Sequence, residues 1–205
     1  MIALRGLRFE SGPRLLFESV LIVISVVLGF AVNEWRQARA DRLLVGSVLR
    51  NVRAEVELNL SQIEQQIERH QRMIRAFEAH ASLDRSRSAW DVAVDVMRKM
   101  GGGFETLPLR QAAWDAAVSS GALRLMDYQM AAVLSEIYVG QQDSYTRLVE
   151  QTTPAIFAPD TFRPESQRES LQVIRWLMVE VEGRERAVRD IYKRHLPGLQ
   201  AATGE

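Results

Sequence analysis

The side chains that could do acid–base or metal chemistry are few. The sequence has three histidines, His70, His80 and His195, and no cysteine. A carboxylate–histidine metal site in a helical bundle needs Glu-x-x-His pairs, because only side chains three or four apart share a helix face. The sequence has none, and Glu78-Ala79-His80 sets its two candidate ligands on opposite faces. There is no His-Glu-x-x-His pattern for zinc hydrolysis. Without cysteine, disulfides, thiolate metal sites and thiol nucleophiles are excluded, which fits either side of a bacterial inner membrane. His70 falls on an apolar seam, so a satisfied buried histidine is expected there, and a near-neutral pH sensor is the alternative. No catalytic, metal or cofactor-binding residues are nominated. The expectation is a protein without a cofactor that is not an enzyme.

Gly101-Gly102-Gly103 lacks the Lys-Ser/Thr of a phosphate loop and follows no strand, so it reads as a turn between helices. The segment 180–194 alternates Glu and Arg, the pattern of a solvated helix face. Twenty-six basic and 26 acidic residues cancel, so no overall field favours nucleic acid. Trp90 and Trp114 are read as core residues, with a ligand pocket lined by them as the alternative.

The elements that would position these groups divide the 205 residues as 1–14, a basic tail; 15–35, a transmembrane helix; 36–81, a long amphipathic, coiled-coil-like helix; and 82–205, the remainder of a helical bundle. From Val20 to Val32 the chain is apolar except for Ser25 and Gly29, and Leu15 to Phe17 extends the run past Glu18. Nineteen residues from Leu15 to Asn33 approach the ~20 that cross a hydrocarbon core of about 30 Å. Trp35 falls at the interface, and Arg14 and Arg36 bracket the span as anchors. A cleaved signal peptide would end in small residues, whereas Asn33-Glu34-Trp35-Arg36 follows here. A buried core helix would need a far larger protein around it.

Glu18, Ile22, Ser25, Gly29 and Asn33 recur at steps of three or four and form one stripe on this helix. Ser25 and Gly29 are a small-x-x-x-small pair that permits close helix approach, and Asn33 can bond across an interface. Glu18 is placed to snorkel toward Arg14. The partners expected are the lipid bilayer, a second copy of the chain or another membrane protein, and no nucleic acid. Arg36, Arg39, Arg42, Arg50 and Arg53 after the span outnumber Arg5, Arg8 and Arg14 before it. Long domains translocate largely regardless of charge, however, and a basic tail is usually retained inside. The expected orientation therefore places the soluble part in the periplasm.

Beyond Trp35 the pattern is helical throughout, and no period-2 alternation appears. Apolar positions at Val45, Leu49, Val52, Val56, Leu60, Ile63, Ile67, Ile74 and Phe77, with His70 between, predict a helix to about residue 81. The four-residue step from Val56 to Leu60 resembles a stutter. This helix is expected to continue the anchor, about 100 Å in all. Ser88 predicts the cap of a helix through Met100 that buries Trp90, Val94 and Met97. Thr106 and Pro108 predict another start, ahead of Leu109, Ala112, Ala113, Trp114, Ala116 and Ala117. Ser119-Ser120-Gly121 ends or bends it, with Leu123 and Leu125 beyond. Asp127 predicts the cap of a long helix to about Thr152, with Met130, Val133, Leu134, Ile137, Tyr138, Tyr145 and Leu148 inward. Pro154, Pro159 and Pro164 predict a loop. A last helix is expected over 165–195, with Leu171, Ile174, Leu177, Met178, Val181, Val188, Ile191 and Tyr192 on one side, Gly183 as a kink and Pro197 as its stop. The fold class is all-α, a membrane helix followed by a bundle.

The anchor resembles that of an uncharacterised bacterial family of single-pass membrane proteins, in which Glu-x6-Gly-x7-Asn-x-Trp leads into a long charged helix. Glu18, Ser25, Asn33 and Trp35 fall at those spacings, with Ser25 in place of Gly. Ala113, Ser120, Gly121, Leu134 and Tyr138 resemble a later portion of the same family. The resemblance covers roughly residues 15–80 and 104–150 and implies architecture, with no catalytic residue. The functions it leaves are a self-associating or accessory scaffold of the inner membrane or, alternatively, a sensory or ligand-binding bundle. A sensor would be expected to carry a second span or an output module, and only about 14 residues precede this span.

Overall fold

The computed structural model describes residues 12–80, 86–101 and 108–204, and among them the regular structure is helical with no strand. The chain divides between Leu44 and Val45 into two units. Helix α1 (Gly12–His80) supplies the described part of the first unit and the first element of the second.

In the first unit Pro13 lies in the first turn of α1, where a missing N–H removes no helical bond. Residues 16–40 are exposed throughout. An 18-residue window of this helix is apolar enough to cross a membrane, and none of it is buried. Arg5 and Arg8 lie outside the described residues, as does the side chain of Arg14.

In the second unit α1 buries a seam at Leu49, Val52, Val56, Asn59, Ile63, Gln66, His70, Met73 and Phe77. The steps alternate strictly between three and four, the spacing that keeps one face toward a partner. The expected stutter is absent. Asn59, not Leu60, takes the inward position, and Met73 replaces Ile74; both displaced residues are only half-buried.

Helix α2 (Ala89–Lys99) begins at Ser88 with a complete capping box. Asp91 N–H donates to Ser88 Oγ (3.1 Å), and Ser88 N–H donates to an Asp91 carboxylate oxygen (3.2 Å). Its buried face is Ala89, Val92, Ala93 and Val96. Trp90, Val94 and Met97, expected inward, flank that face and are half-buried. Small residues take the centre because the face packs closely on Met73 and Phe77 of α1 and on Leu171, Ile174 and Met178.

Thr106 lies outside the described residues. Pro108 does not start the next helix, which is α3 (Ala112–Ser119). Leu109 is buried ahead of it, while Ala112 and Ala116 are exposed and Ala117 is buried. Gly121 ends α3 with φ +73°, a left-handed conformation that Gly adopts without steric cost.

Asp127 caps α4 (Tyr128–Gln141) by accepting from Met130 N–H at 2.9 Å. A π turn, Gln142–Thr146, joins it directly to α5 (Arg147–Ile156), so helical structure passes Thr152 and includes Pro154. Leu134, Ile137, Tyr138 and Tyr145 are buried, and Met130, Val133 and Leu148 are half-buried. Only Pro159 and Pro164 fall in the connection, each opening a short 3-10 turn.

Helix α6 (Gln167–Thr203) lies against α2, α4 and α5. It continues through Gly183 and Pro197. Proline removes one helical hydrogen bond near the end of α6, and tertiary contacts hold the turns beyond it. Leu199 is fully buried, and the Arg53 guanidinium donates to Thr203 Oγ1 at 2.9 Å. Leu171, Ile174, Leu177, Met178, Val181, Val188 and Tyr192 are buried as the periodicity predicts, while Ile191 is half-buried.

Candidate functional site: a buried polar ladder beside an apolar cavity

The polar members of the α1 seam have definite partners. Asn59 clamps the backbone of Arg110: its amide donates to the Arg110 carbonyl (2.8 Å), and its side-chain oxygen accepts from Arg110 N–H (2.9 Å). Beside it, the buried Glu55 accepts from Tyr138 Oη at 2.7 Å and from Ala113 N–H at 3.0 Å. The second contact places a carboxylate on the first turn of α3, whose own N-cap residue Gln111 makes no side-chain cap. A helix N-terminus exposes unsatisfied N–H groups and partial positive charge, so a carboxylate from α1 completes it.

One end of the ladder joins α4 to α6. Tyr192 Oη donates to Gln141 Oε1 at 2.6 Å, and Gln141 Nε2 donates to the Arg110 carbonyl at 3.3 Å. At the other end the π turn delivers Tyr145, whose hydroxyl donates to Gln66 Oε1 at 2.6 Å. His70 Nδ1 lies 2.9 Å from Glu185 Oε2, with both side chains fully buried. On the flank, Gln71 donates to Glu182 at 2.8 Å and Arg186 pairs with the same carboxylate.

Burial sets the proton affinities. It pushes the Tyr138 and Tyr145 hydroxyls far above the usual phenol range, helped by Glu55 and Glu185 respectively, and raises Tyr192 as well. All three stay protonated and serve as donors. The Glu185 carboxyl is raised by burial, against the pull of its hydrogen bond and charge interaction with His70, while Glu182 raises it further. The ladder thus combines protonated tyrosine donors and side-chain amides with two buried carboxyls, of which Glu185 has its charged form disfavoured by burial.

A cavity of about 310 Å³ adjoins this end of the ladder, between α1, α2, α5 and α6. Met73 lies one turn from His70, and Val149 one turn from Tyr145. The Trp90 ring sits 5.3 Å from that of Phe157 and 5.4 Å from that of Phe162, tilted in both cases. Trp114 instead stacks on Tyr138, with centroids 5.2 Å apart and an interplanar angle of 18°. Of the two tryptophans, one therefore lines a cavity and the other packs over the ladder.

No family model, curated protein or solved structure matches this chain.

The stripe nominated on the anchor lies on exposed helix. Glu18, Ile22, Ser25, Gly29 and Asn33 are all exposed, and a Cβ placed on Gly29 meets nothing within 4 Å. Ser25 Oγ donates to the Leu21 carbonyl of its own helix at 2.8 Å, leaving that face less polar than the residue type suggests. Arg39 lies over the Trp35 ring at 5.9 Å, and Arg36 is exposed. His80 has no described side chain, while His195 Nε2 lies 3.1 Å from Glu136. Among the described residues no cluster of three potential metal ligands occurs.

Periodicity of apolar residue types missed Glu55, Asn59, Gln66, Gln141 and Glu185. The three-four spacing of Asn59, Gln66 and His70 with the apolar positions was the available signal.

Proposed function

We propose that this chain is an interaction or accessory protein of the bacterial inner membrane, a member of the single-pass family its anchor resembles. The helix over 15–35 holds it in the bilayer, and the bundle in the periplasm presents contact surface to a second copy or to a larger membrane complex. The observation that carries this reading is apolar helical surface that the chain itself leaves uncovered. Val20 to Val32 supply it in the first unit. In the second, Val173, Trp176 and Val179 are exposed on α6, with Trp176 63% exposed. Soluble monomers rarely leave such surface open without a use for it. The buried polar side chains support the same reading, because Glu55, Asn59, Gln66, His70, Gln141 and Glu185 are engaged with one another and with backbone. They hold the bundle in one arrangement.

Crosslinking and native mass spectrometry of the full chain in mild detergent test the proposal. A homo-oligomer or a stoichiometric membrane partner is expected, weakened by Trp176→Glu or by Gly29→Ile, with membrane insertion retained in both. A clean monomer with no partner overturns it. Orientation is tested separately by a C-terminal alkaline phosphatase fusion, which is active only if exported.

A further inference from the structure

We infer that the cavity between α1, α2, α5 and α6 binds a neutral, apolar small molecule of roughly the size of a fused two-ring aromatic. This goes beyond the interaction reading and uses different residues. The volume is about 310 Å³. An apolar cavity of ~150 Å³ accepts benzene, so twice that space suits a molecule on the order of ten carbon atoms.

The lining selects the chemical class. Among the described residues, its polar side chain apart from the Trp90 indole N–H is Thr152, whose hydroxyl donates to the Val149 carbonyl at 3.0 Å within its own helix. No ionisable side chain among the described residues lines the space. A carboxylate or ammonium entering it would lose hydration without gaining a counter-charge, which excludes charged ligands. Met73, Met97 and Met178 line the walls, and thioether side chains adapt to irregular apolar shapes and contact aromatic edges favourably. Trp90 and Phe157 add an aromatic wall, where a flat ring gains offset or edge contacts beyond its area. The α5 wall follows the π turn and contains Pro154, which donates no helical hydrogen bond.

The test uses the full-length chain in nanodiscs of phosphatidylcholine and phosphatidylglycerol, with unfolding of the bundle followed by far-UV circular dichroism. Naphthalene is the probe and 2-naphthoate its charged counterpart. At about 100 times Kd, naphthalene is expected to raise Tm by roughly 5 °C or more, and 2-naphthoate to leave it unchanged. Ala93→Phe, which fills the cavity from α2, is expected to abolish the response. Met97→Trp serves if the first variant does not fold. Probe dissolved in lipid acts equally on both proteins, so the comparison isolates the cavity. No shift with naphthalene, an equal shift with 2-naphthoate, or an undiminished shift in a folded cavity-filled variant each overturns the proposal.

Discussion

At Glu185, burial and hydrogen bonding act on one carboxyl in opposite directions. Desolvation raises it above its ordinary value near 4.5, and His70, 2.9 Å away, draws it back without cancelling the rise. The folded chain therefore holds this proton to a higher pH than the unfolded chain does. Stability from this group is full below pH ~4.5 and declines as pH rises from there through the folded value. Glu185→Gln keeps the shape and removes the titration, so its denaturation midpoint is expected to fall less than the wild type's between pH 5 and 7.5. Identical slopes would show that the charge of Glu185 does not reach the folding equilibrium. Glu185→Ala is different, because it removes the hydrogen bond to the buried His70 ring, and is expected to cost about 2 kcal/mol. Asn59 makes a second prediction at this scale. An apolar residue looks natural on the seam, yet Asn59→Leu releases the N–H of Arg110 and leaves its carbonyl only the longer Gln141 contact. A loss of about 2 kcal/mol in urea unfolding is expected, and a neutral result would mean that water replaces the clamp.

Among the elements, α2 is the one whose start is most locally determined. Ser88 and Asp91 satisfy each other's backbone N–H groups, so Ser88→Ala is expected to cost about 1 kcal/mol. Hydrogen exchange in the first turn of α2 should rise with it, and unchanged protection there would show that packing alone holds the helix. Helix α3 is the opposite case. It has eight residues and no local cap, and its first turn is completed by Glu55 from a residue 58 positions away. Inspection of residues 106–112 alone favours Pro108 as the start, because proline at a first turn is a sound local rule. The long-range carboxylate moves the start to Ala112. The same tension governs Pro154 and Pro197, which interrupt helical bonding and still lie inside helices. Buried Thr152 and Leu199 on either side hold the chain there, and no local rule includes that packing.

For the whole molecule, burial is distributed unequally between the two units. Residues 16–40 bury nothing within the chain, and the core begins at Val48. A chain beginning near residue 40 is therefore expected to unfold at the same temperature as the full protein in detergent. A drop of many degrees would reveal that the anchor supports the bundle.

The sequence by itself determined the helical class, the apolar span, the caps at Ser88 and Asp127, and most of the inward face of α6, since each depends on periodicity or on contacts within a few residues. Only the tertiary structure decided which polar residues are buried. Asn59, Gln66, His70 and Glu185 are unfavourable inside until their partners arrive from segments 51 to 115 residues away, and no local pattern records that compensation. The cavity beside them has the same origin, as the space left where four helices meet.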